Sequence, residues 1–268
     1  MHIDALLNLI SGDNDRTEFD DLKITSDWSQ GRTVYGGLIA GLLFTATRQQ
    51  VNKERKLLSM SCNFIGPVLV DTAFSIETQQ LRVGKSVSQV MVTLKQEGRV
   101  CTIGLFSFGM SRNSKINVPN KEVHAMPFPK RVKFIPMIPK VVPKFLQHFE
   151  FSLHDGKFPF SASSASHLHG WMRFKKAPYD FTKAHLIASI DAWPPTVLQM
   201  LRLPASASTM NWNVQFIQPS VAIEPHEWLG YKVQTRHAAD GYCHTASNIW
   251  NAKEELFAIS HQTVAVFA

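Results

Sequence analysis

The segment Val34–Arg48 carries almost no charge and has apolar residues on every face of a helical projection. Two adjacent glycines, Gly36 and Gly37, stand near its start, behind a short polar stretch. A helix that is apolar all round is stable only when other elements surround it. The pattern therefore predicts a buried helix around which the rest of the chain folds.

The pattern changes from helix-like to strand-like after this helix, between Leu57 and Phe108. Turn residues such as Gly66-Pro67 and Glu97-Gly98 divide the region into short segments rich in apolar and β-branched residues. The four predicted strands are Leu57–Ile65, Ala73–Leu81, Val87–Gln96 and Val100–Phe108. We expect these strands to form a curved antiparallel sheet that wraps the helix.

Prolines interleaved with lysines and arginines interrupt the pattern after Met110, and a serine-rich run, Ser161–Ser166, follows them. Proline lacks the backbone N–H that a sheet needs, so such a region favours a surface connector. We therefore predict an N-terminal unit over residues 1–110, a basic connector over 111–169 and a C-terminal unit over 170–268.

The C-terminal unit repeats the element order of the N-terminal unit. A helix-like stretch, Ala192–Leu203, precedes four predicted strands, which are Ser208–Gln218, Trp228–Thr235, Cys243–Ala252 and Leu256–Phe267. The segments Cys62–Pro67 and Val214–Pro219 share the pattern Phe-Ile-x-Pro at the end of the first strand. One long helix wrapped by a curved antiparallel sheet, present twice in tandem, predicts the α+β fold class and a double hot dog architecture.

Composition narrows the functional classes without selecting one. The chain has 268 residues, 44% of them hydrophobic, and a net charge of +7, which favours anionic partners. Its three cysteines are widely spaced and include no C-x-x-C pair, so they predict neither a disulfide framework nor a cysteine zinc site. The first residues lack a signal-peptide pattern and no apolar run is long enough for a membrane span. We expect a soluble, cytoplasmic protein.

Several short motifs give the chain a resemblance to a known family. They are Gly31–Gly37 at the helix start, Asn63–Pro67 at a strand end, the Leu81–Ser86 turn and the Gln96–Gly98 hairpin. In order and spacing they resemble the double hot dog acyl-CoA thioesterases of the bacterial thioesterase II and thioesterase-like group. The resemblance implies hydrolysis of an acyl-CoA to free acid and coenzyme A, with roles in fatty acid metabolism. It also implies no cofactor and no metal, and it implies a homo-oligomer. The basic, proline-rich connector lacks the interleaved aromatic residues of a single-strand binding platform, so we expect no nucleic-acid partner.

The resemblance further implies a water held by an aspartate, a hydroxyl and a glutamine, which match Asp191, Thr209 and Gln262. Each residue has an alternative structural interpretation. Asp191 precedes Pro194 and Pro195 as the N-cap of a helix would, and Thr209 suits any strand start. A glutamine in an alternating strand usually faces solvent. Gln262 would, however, share a strand face with Ser260, Ala258 and Val264, a face of small residues that could line a pocket. Asn211 would share a face with Thr209 and is a candidate substitute ligand for the water.

Gly36 and Gly37 also have two interpretations. Free N–H groups at a helix N-terminus can bind a phosphate or polarise a carbonyl, and paired glycines equally allow a helix to pack tightly against strands. Lys130, Arg131 and Lys133 either attract the coenzyme A phosphates or form a solvated basic loop.

Two other functions remain open at this stage. The sequence around Thr209 and Gln262 departs from the family's pattern, which leaves room for a non-catalytic acyl-binding or assembly module. A dehydratase acting on 3-hydroxyacyl thioesters would need a catalytic histidine near the buried helix, and Val34–Gln50 contains none. A serine hydrolase is not supported because no G-x-S-x-G motif is present. His167 and His169 lie in the connector, where we expect them to be solvated.

Overall fold

The computed structural model describes residues 1–10, 12, 16–130, 142–219 and 222–268. The helices are α1 (Ile3–Asn8), α2 (Gly36–Gln49) and α3 (Lys183–Ile190), with short 3₁₀ helices at Ser26–Trp28, Lys144–His148 and Thr196–Met200. The strands are β1 (Glu18–Leu22), β2 (Ser29–Gln30), β3 (Thr33–Val34), β4 (Lys56–Phe64), β5 (Phe74–Val83), β6 (Val87–Gln96), β7 (Arg99–Gly109), β8 (Phe149–Gly156), β9 (His167–Phe174), β10 (Ser206–Phe216), β11 (Leu229–Ala239), β12 (Tyr242–Trp250) and β13 (Leu256–Phe267). β2 and β3 form a small ribbon, and the other eleven strands form one antiparallel sheet in the order β1-β5-β6-β7-β4-β10-β13-β12-β11-β9-β8.

The large sheet consists of two halves with the same strand order, joined where β4 pairs with β10. From this joint outward, the first half runs β4, β7, β6, β5 and the second half runs β10, β13, β12, β11. Strands at corresponding places in the repeat therefore occupy corresponding places in the sheet. The first strand of each half ends at the phenylalanine of the shared motif, Phe64 in β4 and Phe216 in β10. The predicted double hot dog architecture is confirmed.

The hydrophobic pattern located most strands correctly. β6 and β13 have the predicted bounds, Val87–Gln96 and Leu256–Phe267. Along β6 the buried positions Val90, Val92 and Leu94 alternate with partly exposed ones, because successive side chains point to opposite faces of the sheet. The buried face covers the helices.

α2 is the buried helix that the sequence predicted, and most of its residues from Gly37 to Thr47 are inaccessible to solvent. It packs antiparallel to α3 at very short range. A Cβ atom on Gly41 would lie 3.0 Å from the Ala184 carbonyl oxygen, and one on Gly37 would lie 2.9 Å from that of Ala188. The glycines thus allow α2 to approach α3, whereas we had expected them to allow close packing against strands.

The second helix lies upstream of its predicted place. α3 spans Lys183–Ile190, where we had expected a helix at Ala192–Leu203, and that stretch contains only the 3₁₀ helix Thr196–Met200. A capping box formed by Thr182 and His185 starts α3. Helical conformation is disfavoured for a residue before proline, so Trp193-Pro194 and the following Pro195 prevent a helix from continuing through this stretch.

The expected connector contains two strands, so the prediction of a strand-free segment up to residue 169 is wrong. β8 and β9 pair with each other, and β9 pairs with β11, which extends the second half of the sheet. Alternating apolar residues such as Phe149 and Phe151 are buried there. The prolines that led to the expectation stand earlier in the segment, and the described residues 110–130 contain no helix or strand. The division at residues 110 and 170 stays a prediction.

Candidate active site

Asp191 is the residue at which α3 ends. It caps the C-terminus of the helix, and the Ala192 N–H donates to the Ser189 carbonyl at 3.0 Å as the chain turns away. The interpretation of Asp191 as an N-cap, and its expected place at the mouth of a following helix, are therefore wrong. Because α3 runs antiparallel to α2, the end of α3 meets the start of α2.

The Asp191 carboxylate accepts hydrogen bonds from both halves of the chain. Gln262 Nε2 of β13 donates to Asp191 Oδ1 at 2.6 Å, and the backbone N–H of Gly37 also donates to the carboxylate. Gly36 lies against the other oxygen, since a Cβ atom there would be 3.1 Å from Asp191 Oδ2. The carboxylate therefore lies at the N-terminus of α2, where the helix dipole favours a negative charge.

Burial raises the pKa of Asp191 from its ordinary value of 3.8 to about 7, and the hydrogen bonds from Gln262 and Gly37 oppose this increase. None of the groups that change this pKa is a cation. The protein surrounds the carboxyl group closely, although part of the Asp191 residue remains open to solvent. A buried carboxyl group without a cationic partner loses hydration and therefore binds a proton more readily.

Gln262 lies on the face that the alternation of β13 predicted. Ser260, Ala258 and Val264 are buried on the inner side of the sheet, whereas His261 is exposed on the outer side. Within this face the Trp212 indole N–H donates to Ser260 Oγ at 2.8 Å. Gln262 uses its amide N–H on Asp191, so its carbonyl oxygen is the atom that can accept a hydrogen bond from water.

A β-bulge in β10 directs Thr209 to the same face as Gln262. Thr209 pairs with Val264, and Asn211 pairs with Thr263, the adjacent residue on β13. Adjacent residues of a regular strand point to opposite faces, so Thr209 points inward with Val264. Thr209 is diagonal to Gln262 across the strand pair, a relation that places the two residues roughly 7–8 Å apart, with their Cβ atoms somewhat closer. A water molecule held by both side chains fits such a separation.

The same bulge directs Asn211 away from the site, so the expectation that Asn211 and Thr209 share a face is wrong. Asn211 Nδ2 donates to Asn63 Oδ1 of β4 at 3.0 Å, and its Oδ1 accepts from Asn213 Nδ2. These side chains lie on the outer face of the sheet. Asn211 therefore links the two halves of the sheet and has no contact with Asp191 among its hydrogen bonds.

Tyr35 is a site residue to which we had assigned no role. It is fully buried, stacks on Phe145 with ring centroids 3.9 Å apart, and donates from Oη to the Ala188 carbonyl at 2.5 Å. This hydrogen bond attaches the last turn of α3 to the start of α2 and thereby positions Asp191. Burial, the nearby Asp191 charge and Tyr231 keep the pKa of Tyr35 well above its ordinary value, so its hydroxyl stays protonated. The aromatic residue before Gly36 was the available sequence signal.

Two other reactive side chains among the described residues, Cys62 and His185, are not arranged for catalysis at this site. Burial beside Asp191 raises the pKa of Cys62 to about 12, which keeps its thiol protonated. His185 is buried, but it is at the first turn of α3, where it contacts Asp4 Oδ1 at 2.8 Å and Thr182 Oγ1 at 2.8 Å. The end of α3 that carries Asp191 is about 9 Å away along the helix axis. His185 therefore joins α1 to α3 and is not placed to act as the histidine of a dehydratase.

The two histidines expected to be solvated lie in β9. His167 Nε2 is 3.0 Å and His169 Nδ1 is 3.6 Å from Asp155 Oδ2. Within the described part of the chain, no group of three or more His, Cys, Asp or Glu residues is placed to hold a metal ion. Lys130 is exposed, while Arg131 and Lys133 lie outside the described residues, so their proposed attraction of coenzyme A phosphates stays a prediction.

Two cavities of the described part of the chain lie away from the Asp191 site. A cavity of about 290 Å³ is lined by Trp28, His148 and neighbouring residues, and another of about 270 Å³ lies beside the Asp240 turn. Neither is lined by Asp191 or Gln262. None of the helices that the structure describes is long and apolar enough to cross a membrane.

Two family models match the chain. The N-terminal domain of acyl-CoA thioesterases matches residues 24–109, and the C-terminal domain matches residues 120–266. No curated protein sequence matches the chain significantly.

Solved structures with the same fold are similar over the whole chain. A conserved hot dog protein of unknown function from Alicyclobacillus acidocaldarius superposes with a TM-score of 0.84 at 22% identity, covering 100% of this chain and 99% of that one. A putative thioesterase II from Thermobifida fusca gives 0.80 at 20% identity, covering 100% and 98%. The tesB protein of Mycobacterium avium subspecies paratuberculosis gives 0.75 at 16% identity, covering all of both chains. At these identities the similarity establishes the fold alone.

Proposed function

We propose, from the premise that the chain belongs to the acyl-CoA thioesterase family, that it hydrolyses an acyl-CoA to a free acid and coenzyme A. The observation that carries this proposal is the contact between Asp191, Gln262 and Gly37. It combines a carboxyl group of raised pKa, a side chain that orients it and the N-terminus of a buried helix. No sequence-adjacent residues supply this combination, since Asp191 and Gln262 are 71 positions apart.

In the proposed first step, the ionised Asp191 accepts a proton from water while the water oxygen attacks the thioester carbonyl carbon. General base catalysis of this kind contributes about 10²–10⁴ in rate. A pKa of about 7 suits the role, because a base works best when its pKa is near the working pH. An aspartate with its ordinary pKa would be ionised but a much weaker base.

Gln262 and Thr209 hold the attacking water in this proposal. Gln262 fixes the direction of the carboxylate through its N–H and offers its carbonyl oxygen to the water. Thr209 offers a hydroxyl that can donate or accept, and the β10 bulge supports its assignment because it turns the side chain to this face. Two such contacts restrict the water to one orientation, which reduces the entropic part of the barrier.

Attack produces a tetrahedral intermediate with a negative oxygen that needs hydrogen-bond donors. The first N–H groups of a helix have no partner inside the helix. In α2 the Gly37 N–H binds Asp191, so we assign the oxyanion to the neighbouring Gly36 N–H, where the absent side chain permits close approach. The intermediate collapses by breaking the carbon–sulfur bond, and the coenzyme A thiolate regains a proton from Asp191. One water is consumed, and one acid and one thiol are formed.

The experiment that tests the proposal measures free thiol release from acyl-CoAs of increasing chain length. We expect hydrolysis by the wild type and a loss of about 10²-fold or more for Asp191→Asn. The matched control is Asp240→Asn, in an exposed turn between β11 and β12, which should retain full activity. Absence of hydrolysis at every chain length, with acyl-CoA binding retained, would instead favour the acyl-binding module. Unchanged activity of Asp191→Asn would show that Asp191 only caps the end of α3 and takes no part in catalysis.

A further inference from the structure

The cavity of about 290 Å³ lies where α1, two 3₁₀ helices and the end of β9 meet. Ile3 comes from the first position of α1, and Phe174 comes from the last position of β9. Trp28 and His148 are the last residues of the two 3₁₀ helices. We call this space the α1 cavity. None of its lining residues takes part in the proposed hydrolysis.

The inner wall of the α1 cavity is apolar. Ile3 and Trp28 are 1% exposed, and Phe174 is 3% exposed. The Trp28 ring stacks on His148 with centroids 4.0 Å apart, and its indole N–H donates to the Met1 carbonyl at 2.8 Å. The polar atom of Trp28 is therefore already paired, and the rest of its ring is apolar surface. Such a wall favours the apolar body of a ligand, which loses contact with water on binding.

The opposite side of the α1 cavity is cationic. Lys175 and Lys176 follow Phe174 directly, line the cavity and are exposed. Their backbone is held in place, because the Lys175 N–H donates to the His148 carbonyl at 2.9 Å and the His2 ring contacts the Lys176 carbonyl at 3.3 Å. Neither ammonium group takes part in an ion pair with a described residue. Both are therefore available to an anion.

The acidic residues next to this wall do not compensate the two lysines. Asp27 Oδ2 lies 3.3 Å from His148 Nε2, and Asp4 Oδ1 lies 2.8 Å from His185 Nε2. Neither carboxylate lines the cavity, and none of the described lining residues is Asp or Glu. The α1 cavity therefore combines an apolar wall with an excess of positive charge at its opening.

We propose that the α1 cavity is a binding site, separate from the Asp191 site, for a small carboxylate with an apolar body. The body packs against Trp28 and Phe174, and the carboxylate lies between the ammonium groups of Lys175 and Lys176. Because a water-sized group takes up about 30 Å³, the cavity has room for about ten non-hydrogen atoms, which is the size of octanoate. A phosphate ester fits less well, because arginine forks suit phosphate best and no described lining residue is an arginine.

The free acid released by the proposed hydrolysis has this chemistry. Its identification as the natural ligand rests on the proposed function, whereas the binding site itself does not. The Tyr35 N–H donates to the Trp28 carbonyl at 3.0 Å, and the two rings stack with centroids 6.5 Å apart. Tyr35 in turn binds the last turn of α3 through its hydroxyl. An acid bound against Trp28 therefore lies next to the residue that positions Asp191.

The test titrates the full chain with octanoate in a calorimeter, without acyl-CoA. We expect the dissociation constant to increase about 10-fold or more in Lys175→Glu/Lys176→Glu, because repulsion replaces two attractive contacts. The matched control is Lys53→Glu/Lys85→Glu, which changes the net charge equally at two exposed lysines outside the cavity, and it should bind as the wild type does. The uncharged 1-octanol should bind about 10-fold more weakly than octanoate. Acetate, which lacks the apolar body, should not bind measurably.

Asp191→Asn should leave octanoate binding unchanged, because the two sites are separate. Circular dichroism and thermal unfolding establish that each variant is folded, and we expect no change from substitutions of exposed lysines. The proposal is overturned by a wild type that does not bind octanoate, or by unchanged affinity in Lys175→Glu/Lys176→Glu. Equal weakening in the control pair would attribute the effect to net charge, and loss of binding in Asp191→Asn would place the acid in the Asp191 site. Either result would also overturn it.

The two proposals of this article fail in different assays. A chain that binds octanoate as described but releases no thiol from any acyl-CoA would retain the carboxylate site and lose the proposed hydrolysis. A chain that hydrolyses acyl-CoA but binds octanoate equally well in Lys175→Glu/Lys176→Glu would retain the hydrolysis and lose the carboxylate site.

Discussion

Replacement of Asp191 by asparagine should make the protein progressively more stable relative to the wild type as the pH increases from 4 to 8. The pKa of Asp191 in the folded protein is about 7 against an ordinary value of 3.8. A carboxyl group whose folded pKa is raised contributes stability below its unfolded pKa and loses it as pH increases through the folded pKa. Ionisation of Asp191 therefore opposes folding progressively between about pH 4 and pH 7.

The magnitude follows from the difference between the two pKa values. About three pKa units at 1.36 kcal/mol each correspond to about 4 kcal/mol, most of which, about 3 to 4 kcal/mol, develops between pH 4 and pH 8. Asparagine also differs from the protonated carboxyl group in its contacts with Gln262 and Gly37, and this difference does not vary with pH. The informative quantity is therefore the change with pH in the stability difference between variant and wild type.

Urea unfolding of Asp191→Asn and wild type at several pH values measures this quantity, because titration of all other groups cancels in the difference. We expect the variant to gain about 3 to 4 kcal/mol relative to the wild type from pH 4 to pH 8. The exposed control Asp240→Asn should gain almost nothing. A stability difference that stays constant from pH 4 to pH 8 would refute a raised pKa for Asp191, and with it the physical basis for its role as a base.

Three further predictions concern the same site. In a plot of log kcat/KM against pH, the wild type should rise with a slope of one and level off to a plateau at a midpoint of about pH 7. Gln262→Leu should move this midpoint to higher pH and lower the plateau about 10-fold or more, because a hydrogen bond that favours the ionised Asp191 is lost. A midpoint that moves downward would contradict this assignment. Gly37→Ala should destabilise the protein by about 1–3 kcal/mol in urea unfolding, since the new methyl group meets the Tyr35 phenol and the Ala188 carbonyl of α3. Gly12→Ala, in open surroundings, should be neutral. Thr209→Val should lower kcat at least 10-fold without a change in melting temperature, while Thr263→Val on the outer face should leave kcat unchanged. Equal effects of the two substitutions would exclude the proposal that the β10 bulge directs Thr209 into the active site.

Local pattern was sufficient for most of the architecture. The all-apolar segment forms α2, and the predicted strand segments form β4 to β7 and β10 to β13. Burial of one face of a strand places apolar residues at regular intervals along the chain, and these intervals can be recognised from the sequence alone. The shared Phe-Ile-x-Pro pattern identified the repeat. The same method failed in the predicted connector, where β8 and β9 lie, and it placed the second helix at Ala192–Leu203 instead of Lys183–Ile190. β8 and β9 form because the edge of β11 offers backbone partners, and α3 is stabilised by its contact with α2.

The site depended more on tertiary structure. Asp191 and Gln262 were identified through resemblance, but their contact joins residues 71 positions apart, and the role of Gly37 depends on how closely α2 crosses α3. A single extra residue in β10 places Asn211 and Thr209 on opposite faces of the sheet. The sequence around Met210 contains no pattern that predicts this bulge.

The sequence by itself therefore determined which segments are buried, how the repeat is ordered and which polar residues are candidates for chemistry, since these properties are encoded by neighbours along the chain. Only the tertiary structure decided that Asp191 ends α3 beside the N-terminus of α2, that its pKa is raised, and that a bulge in β10 turns Thr209 toward the face of Gln262. The physical reason is that desolvation, helix crossing and strand register arise between segments that are distant in the sequence.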